Sequence, residues 1–133
     1  MNTSPCVTQL LAADPATAKR ELDRLSPVEL LAPAQIASCD DALLVKGALY
    51  LKHGFLDESH KISQPVATPN GSYWHGIMHR AEGDSDNSRY WYHRIGTHPV
   101  LQQIGGYPPD QETERREFEL LLEHTLAAAL GEK

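Results

Sequence analysis

Histidines cluster in the middle of this 133-residue chain. Six of the seven lie between positions 53 and 98, together with both tryptophans and three of the five tyrosines. Imidazole changes its charge near neutral pH and binds divalent metals, so histidine serves both as a general base and as a metal ligand. The cluster predicts a functional core over residues 53–99.

The segment 72–84 carries two histidines at helical spacing. His75 and His79 are four residues apart, which places both imidazoles on one face of a helix, and Glu82 follows one turn later. Two neutral imidazoles in this arrangement can bind a divalent metal, and a carboxylate can be a third ligand. Gly76 follows His75, so the HExxH motif of zinc proteases, with its glutamate base, is excluded. The alternative is that both imidazoles hydrogen-bond at a contact between helices.

The segment 53–64 carries a polar stripe. It consists of four residues at successive spacings of four, three and four: His53, Asp57, His60 and Gln64. Residues at these spacings are neighbours on one helix face. If this helix packs against a helix over 72–82, His60 and Gln64 approach the histidine pair. The alternative is an ordinary solvated helix face.

These patterns predict a pocket for a small molecule or a divalent metal. The predicted metal ligands are His60, His75 and His79. The candidate catalytic groups are His60, His79 and Glu82, with Asp57 as an alternative carboxylate. The predicted ligand-binding residues are nearby polar and aromatic side chains: Gln64, Trp74, Arg80, Tyr90, Trp91, Arg94 and His98. Arg94 suits an anionic group beside a hydrophobic wall, and the alternative is a structural arginine stacked on Tyr90 or Trp91.

The elements that must position these residues are predicted to be helices. Apolar residues recur at helical spacing, and no segment alternates as a strand does. N-caps are predicted at Asp14, at Asp110 and at Ser26, where Glu29 completes a capping box. The predicted fold is an all-α bundle of about five to seven helices.

The predicted bundle has an aromatic, histidine-rich helical hairpin at its centre, over about residues 72–95. The charged residues around its turn are expected to pair with one another: Arg80, Glu82, Asp84 and Arg89. One domain is predicted over residues 1–133, with 1–37 as a helical arm or cap.

Composition and charge argue against several classes of function. Hydrophobic residues make up 41% of the chain and charged residues 23%, which is typical of a globular protein. The formal net charge of -6 argues against binding to nucleic acid or to an anionic membrane, since both need basic surface. The chain shows neither a secretory signal nor a membrane-spanning run, so the expected location is the cytoplasm.

Two segments, SHKISQ and GSYWHGIMHRAEGDSDNSRYWYHRIGTHPV, resemble an uncharacterised bacterial family. Its pattern is SHxxxQ, then YWHGIMHRRE-D, then SNAKYW-RR-G-HP, and the match covers about residues 59–100. The resemblance marks these positions: Ser59, His60, Gln64, Tyr73, Trp74, His75, His79, Arg80, Glu82, Asp84, Asn87, Tyr90, Trp91, Arg94, His98 and Pro99. Ala81, Ser88 and Arg89 depart from arginine, alanine and lysine in the pattern. The resemblance implies no activity.

A second hypothesis is a non-enzymatic interaction module or a homodimer. One group of residues lies roughly where a tetratricopeptide hairpin places its signature residues: Trp74, Ile77, Gly83, Asp84, Tyr92 and Pro99. Only one such unit is visible, whereas solenoids need about three. An exposed apolar patch of several hundred Å² would favour this hypothesis.

Overall fold

The computed structural model describes residues 4–107 and 109–132 and confirms the all-α fold class. Within those ranges it contains nine helices and no strand. They are α1 (Pro5–Ala12), α2 (Pro15–Arg24), α3 (Pro27–Leu31), α4 (Cys39–Lys52), α5 (Leu56–Ser63), α6 (Pro69–Ala81), α7 (Ser85–His93), α8 (Pro99–Ile104) and α9 (Gln111–Ala129). No helix in the described ranges is both long and apolar enough to cross a membrane.

Side-chain caps start most of these helices. The carboxylates of Asp14 and Asp110 accept hydrogen bonds from backbone N–H groups in the first turns of α2 and α9, as predicted. Ser26 and Glu29 form the predicted capping box of α3. The sequence prediction missed α1 and α8, which explains why the described chain has nine helices rather than five to seven. Both are short and start with a proline after their N-cap, and helices this short show little periodicity.

Helix α4 lies at the centre of the core. Three of its side chains, Leu44, Val45 and Leu49, have at most 1% of their surface exposed. The helix packs against α5, α6 and α9, and the three N-terminal helices pack against it as well. Residues of α1–α3, among them Val7 and Leu22, belong to the same hydrophobic cluster. The segment predicted as an arm or cap therefore shares its core with α4.

Helices α6 and α7 form the predicted hairpin. Gly83, with a φ of +87°, makes the turn between them. The helices approach closely at Gly76, whose backbone oxygen accepts a hydrogen bond of 2.7 Å from the buried hydroxyl of Ser88. Every residue of α6 from Gly71 to His79 is buried, because α4 and α5 pack against this helix as well as α7.

Candidate metal centre

Helices α5 and α6 bring three histidines together. His60 projects from α5, and His75 and His79 lie one turn apart on α6. The ring centroid of His60 lies 4.8 Å from that of His75 and 5.3 Å from that of His79, and the two rings on α6 are 4.8 Å apart. One nitrogen of each ring can be chosen so that the three nitrogens lie within 4.8 Å of one another. The structure thus places the three predicted ligands side by side.

His75 is the most deeply buried member of this triad. Only 2% of its surface is exposed, and neither ring nitrogen has a hydrogen-bond partner in the described structure. Burial lowers the pKa of His75 to about 4, and the neighbouring charges of His79 and His60 act in the same direction. The ring is therefore neutral at pH 7, and one of its nitrogens carries a free lone pair. A buried polar group left without a partner costs about 1–3 kcal/mol.

Glu82 orients the second histidine of α6. Its Oε1 lies 2.8 Å from Nδ1 of His79. A carboxylate accepts this hydrogen bond from a proton on Nδ1, and in the neutral tautomer that makes it the lone pair of His79 is on Nε2. This is the arrangement found behind many metal-ligating histidines, where a carboxylate fixes the tautomer and raises the basicity of the ring.

A half-buried indole forms one wall of the triad. The ring of Trp91 stacks on His75 with centroids 3.9 Å apart and planes inclined by 20°. On α7 the guanidinium of Arg94 lies over both Trp91 and Tyr90, 5.4 and 5.7 Å from their ring centroids. Arg94 is exposed and has no ion pair in the described structure. The stacking expected of a structural arginine is therefore present.

Several predicted site residues lie away from the triad. Gln64 is exposed at the end of α5. Trp74 is buried on the side of α6 that faces α9, where its Nε1 donates to Oγ1 of Thr125 at 3.0 Å. His53 is the C-cap of α4 and not part of α5, so the predicted polar stripe is broken before Asp57. The cause is the chain reversal at Gly54, whose φ is +87°.

Arg80 does not pair across the turn of the hairpin, contrary to the prediction. Its Nη2 donates to Oε1 of Glu117 on α9 at 2.6 Å, and Tyr73 donates to the other carboxylate oxygen at 2.7 Å. Glu117 has 0% of its surface exposed. Sequence reasoning missed this pair, although a signal existed: Glu117 lies four residues before Leu121 and so on the apolar stripe of α9.

The remaining charged residues of the turn have local partners. Glu82 contacts His79, and Arg89 pairs with Asp86 at 2.9 Å. Asp84 is the N-cap of α7. The prediction of a network across the turn is therefore wrong, because each of these side chains has its partner within its own helix turn or on α9.

His98 has a structural role at the start of α8. Its Nδ1 accepts the N–H of Val100 at 3.1 Å, so its Nε2 must carry the proton that it donates to Oδ1 of Asn70 at 2.8 Å. Asn70 in turn donates to Asp41. Burial lowers the pKa of His98 to about 4, and the charge of His124 lowers it further in the same direction. The neutral form of His98 is therefore the one that makes both hydrogen bonds.

We expect His98 to make the protein less stable in mild acid. A histidine whose pKa is lowered by folding stabilises fully above its unfolded value of about 6.5, and this stabilisation is lost as the pH falls toward 4. Between pH 7.5 and pH 5, we expect the titration of His98 to lower the free energy of unfolding by about 2 kcal/mol. Urea unfolding at several pH values measures the free energy of unfolding of the wild type and of His98→Asn, in which asparagine can still cap α8. The difference between the two pH dependences is the contribution of His98. His93→Asn, at an exposed position, is the control and should match the wild type. Equal pH dependence in all three proteins would contradict the assignment.

Comparisons with protein-family models, with curated proteins and with solved structures find no match for this chain. In the part of the chain that the structure describes, three imidazoles converge, one of them is buried without a hydrogen-bond partner, and another is oriented by a carboxylate.

Proposed function

We propose that this protein binds one divalent transition-metal ion, of which zinc is the prime example, through His60, His75 and His79. The observation that carries the proposal is the burial of His75 with both ring nitrogens unpartnered. Imidazole nitrogen is a favoured ligand of zinc, copper, iron and nickel, and neutral imidazole is the form that binds. A bound ion would supply the partner that the buried ring lacks.

The distances within the triad support the proposal after a small adjustment. Zinc–nitrogen bonds are about 2.0–2.1 Å long, so ligand nitrogens around a tetrahedral ion lie about 3.4 Å apart. The three nitrogens lie within 4.8 Å of one another. Their separations must therefore shorten by at most about 1.4 Å to reach about 3.4 Å. His60 is the member best able to move, because it is only half-buried. The other two rings are held by Trp91 and by Glu82.

The alternative hypothesis is that both histidines of α6 form hydrogen bonds at a contact between helices. Within the described residues His79 has a hydrogen bond, and His75 does not. His79 has Glu82 as its partner, whereas His75 has none among the described residues. The hypothesis of an interaction module has no specific observation in its favour. In the described chain the large exposed apolar side chains are Val28, Leu43 and Tyr90, and they lie on three different helices.

Elemental analysis tests the proposal. We expect about one equivalent of a divalent transition metal in untagged protein purified without chelators and without a metal-affinity column. Competition titration with zinc should show that His79→Ala weakens binding by at least about 100-fold, since removing even a residue behind the ligands costs 10–100-fold. His93→Ala, which removes an exposed histidine from α7, is the matched control and should bind like the wild type. The proposal fails if zinc does not bind, or if His79→Ala binds it as tightly as the wild type.

A further inference from the structure

The triad provides only three protein ligands. Within the described residues, the cluster of potential metal ligands that includes His75 consists of the three imidazoles alone. Glu82 is already committed to Nδ1 of His79, on the side of that ring away from the lone pair of Nε2. Structural zinc sites are closed by four protein ligands, whereas sites with three keep a position for water or substrate.

The helices that carry the triad do not need a metal to hold them in place. Thr68 caps α6, and Trp74 and Tyr73 anchor that helix to α9 through buried hydrogen bonds. Helix α5 packs against α4 so closely that a Cβ on Gly47 would lie 3.1 Å from a methyl group of Ile62. A chain with a core of this size is stable without a metal staple. We therefore do not expect an ion at the triad to be needed for folding, which leaves a catalytic role for it.

The surroundings of the triad suit a Lewis acid. Three neutral imidazoles would leave the full double charge on a bound divalent ion, and such an ion would make bound water more acidic and so a better nucleophile near neutral pH. His60 is half-buried, so the triad reaches the surface on the side of α5. The half-buried indole of Trp91, stacked on His75, gives the triad one apolar wall.

We propose that the centre is an open one, whose free coordination position takes exchangeable water or a small anion, and that it hydrolyses small carboxylic esters. This inference rests on the proposed metal binding. In the reaction the oxygen of the water forms a bond to the carbonyl carbon, and the bond from that carbon to the leaving alkoxide breaks. The proton lost by the water ends on the alkoxide, giving an acid and an alcohol, and nothing is oxidised or reduced.

Cobalt(II) provides the test, because its visible absorption reports coordination number and ligand exchange. The probes are cobalt(II) chloride, sodium azide and p-nitrophenyl acetate, added to the wild-type chain and to the His75→Leu and His93→Ala variants. For the wild type and His93→Ala we expect one bound cobalt, a shift of its bands with azide, and ester hydrolysis. The zinc-loaded forms should hydrolyse the ester at least about tenfold faster than zinc-treated His75→Leu, and azide should inhibit them.

The outcomes separate this inference from the proposed function. If cobalt and zinc do not bind, the metal proposal itself fails. If cobalt binds to the triad but azide leaves its bands unchanged, the site is closed and the inference is overturned while metal binding stands. If azide shifts the bands but hydrolysis does not exceed that of His75→Leu, the centre is open and the assigned ester chemistry is wrong.

Discussion

Replacing Glu117 with glutamine should lower the free energy of unfolding by about 3–5 kcal/mol. Glu117 has 0% of its surface exposed and accepts hydrogen bonds from Arg80 and Tyr73. The side chain of Arg80 is itself only 18% exposed, so loss of the carboxylate leaves an uncompensated charge in a poorly solvated site. The amide also presents an N–H₂ group to a hydroxyl or guanidinium that needs an acceptor. Urea unfolding followed by circular dichroism measures the loss.

Glu114→Gln is the matched control for this substitution. Glu114 lies one turn earlier on α9, and its carboxylate is 3.8 Å from Nε of the same arginine. Its side chain is 46% exposed, so its removal should cost less than about 1 kcal/mol. The double variant Arg80→Met with Glu117→Met removes both charges and should recover much of the stability lost by Glu117→Gln. A loss below about 1 kcal/mol for Glu117→Gln would show that Arg80 finds another partner or water.

Replacing His75 with leucine should stabilise the metal-free protein while abolishing metal binding. The substitution keeps nearly the same volume and removes two buried nitrogens that have no hydrogen-bond partner among the described residues. Removing the cost of burying these unpartnered nitrogens should stabilise the protein by about 1–3 kcal/mol. Loss of the stacking on Trp91 should destabilise it by about 0.5–1.5 kcal/mol. The net gain should be about 1 kcal/mol, measured by urea unfolding in the presence of a chelator.

Opposite effects on stability and on binding are the signature of a residue kept for function. His79→Leu is the control, because that ring donates to Glu82 and its removal loses a hydrogen bond. The control should therefore lower the stability of the metal-free protein as well as its affinity for zinc. A loss of more than about 2 kcal/mol in His75→Leu would show that His75 has a hydrogen-bond partner, such as water, in the metal-free protein.

The helices and their caps follow from local sequence and were largely predictable. Asp14, Ser26 and Asp110 precede runs with helical periodicity, and each of them caps a helix. The meeting of His60 with His75 and His79 was also predictable in outline. The spacing on α6 fixes which residues share a face, and short connections favour contact between neighbouring helices.

The charge pair of α6 and α9 could not be found in this way. Arg80 and Glu117 are 37 residues apart. The position of Glu117 on the apolar stripe of α9 indicates that its side chain is buried, but not which residue pairs with it. The same limit applies to His98, whose role depends on Asn70 across a gap of 28 residues. Pairings of this kind are decided by how helices pack, and helical periodicity contains no information on which distant face is the partner.

The burial of nine consecutive residues in α6 has a consequence for the evolution of this protein. An ordinary surface helix accepts substitutions every three or four positions, where its side chains face water. Between Gly71 and His79 no such position exists, so variation must accumulate in exposed stretches such as the outer face of α2. A single inserted residue here would turn all later side chains by 100° and separate His79 from His60. Lineages that retain the triad should therefore keep this stretch nearly unchanged in both length and composition.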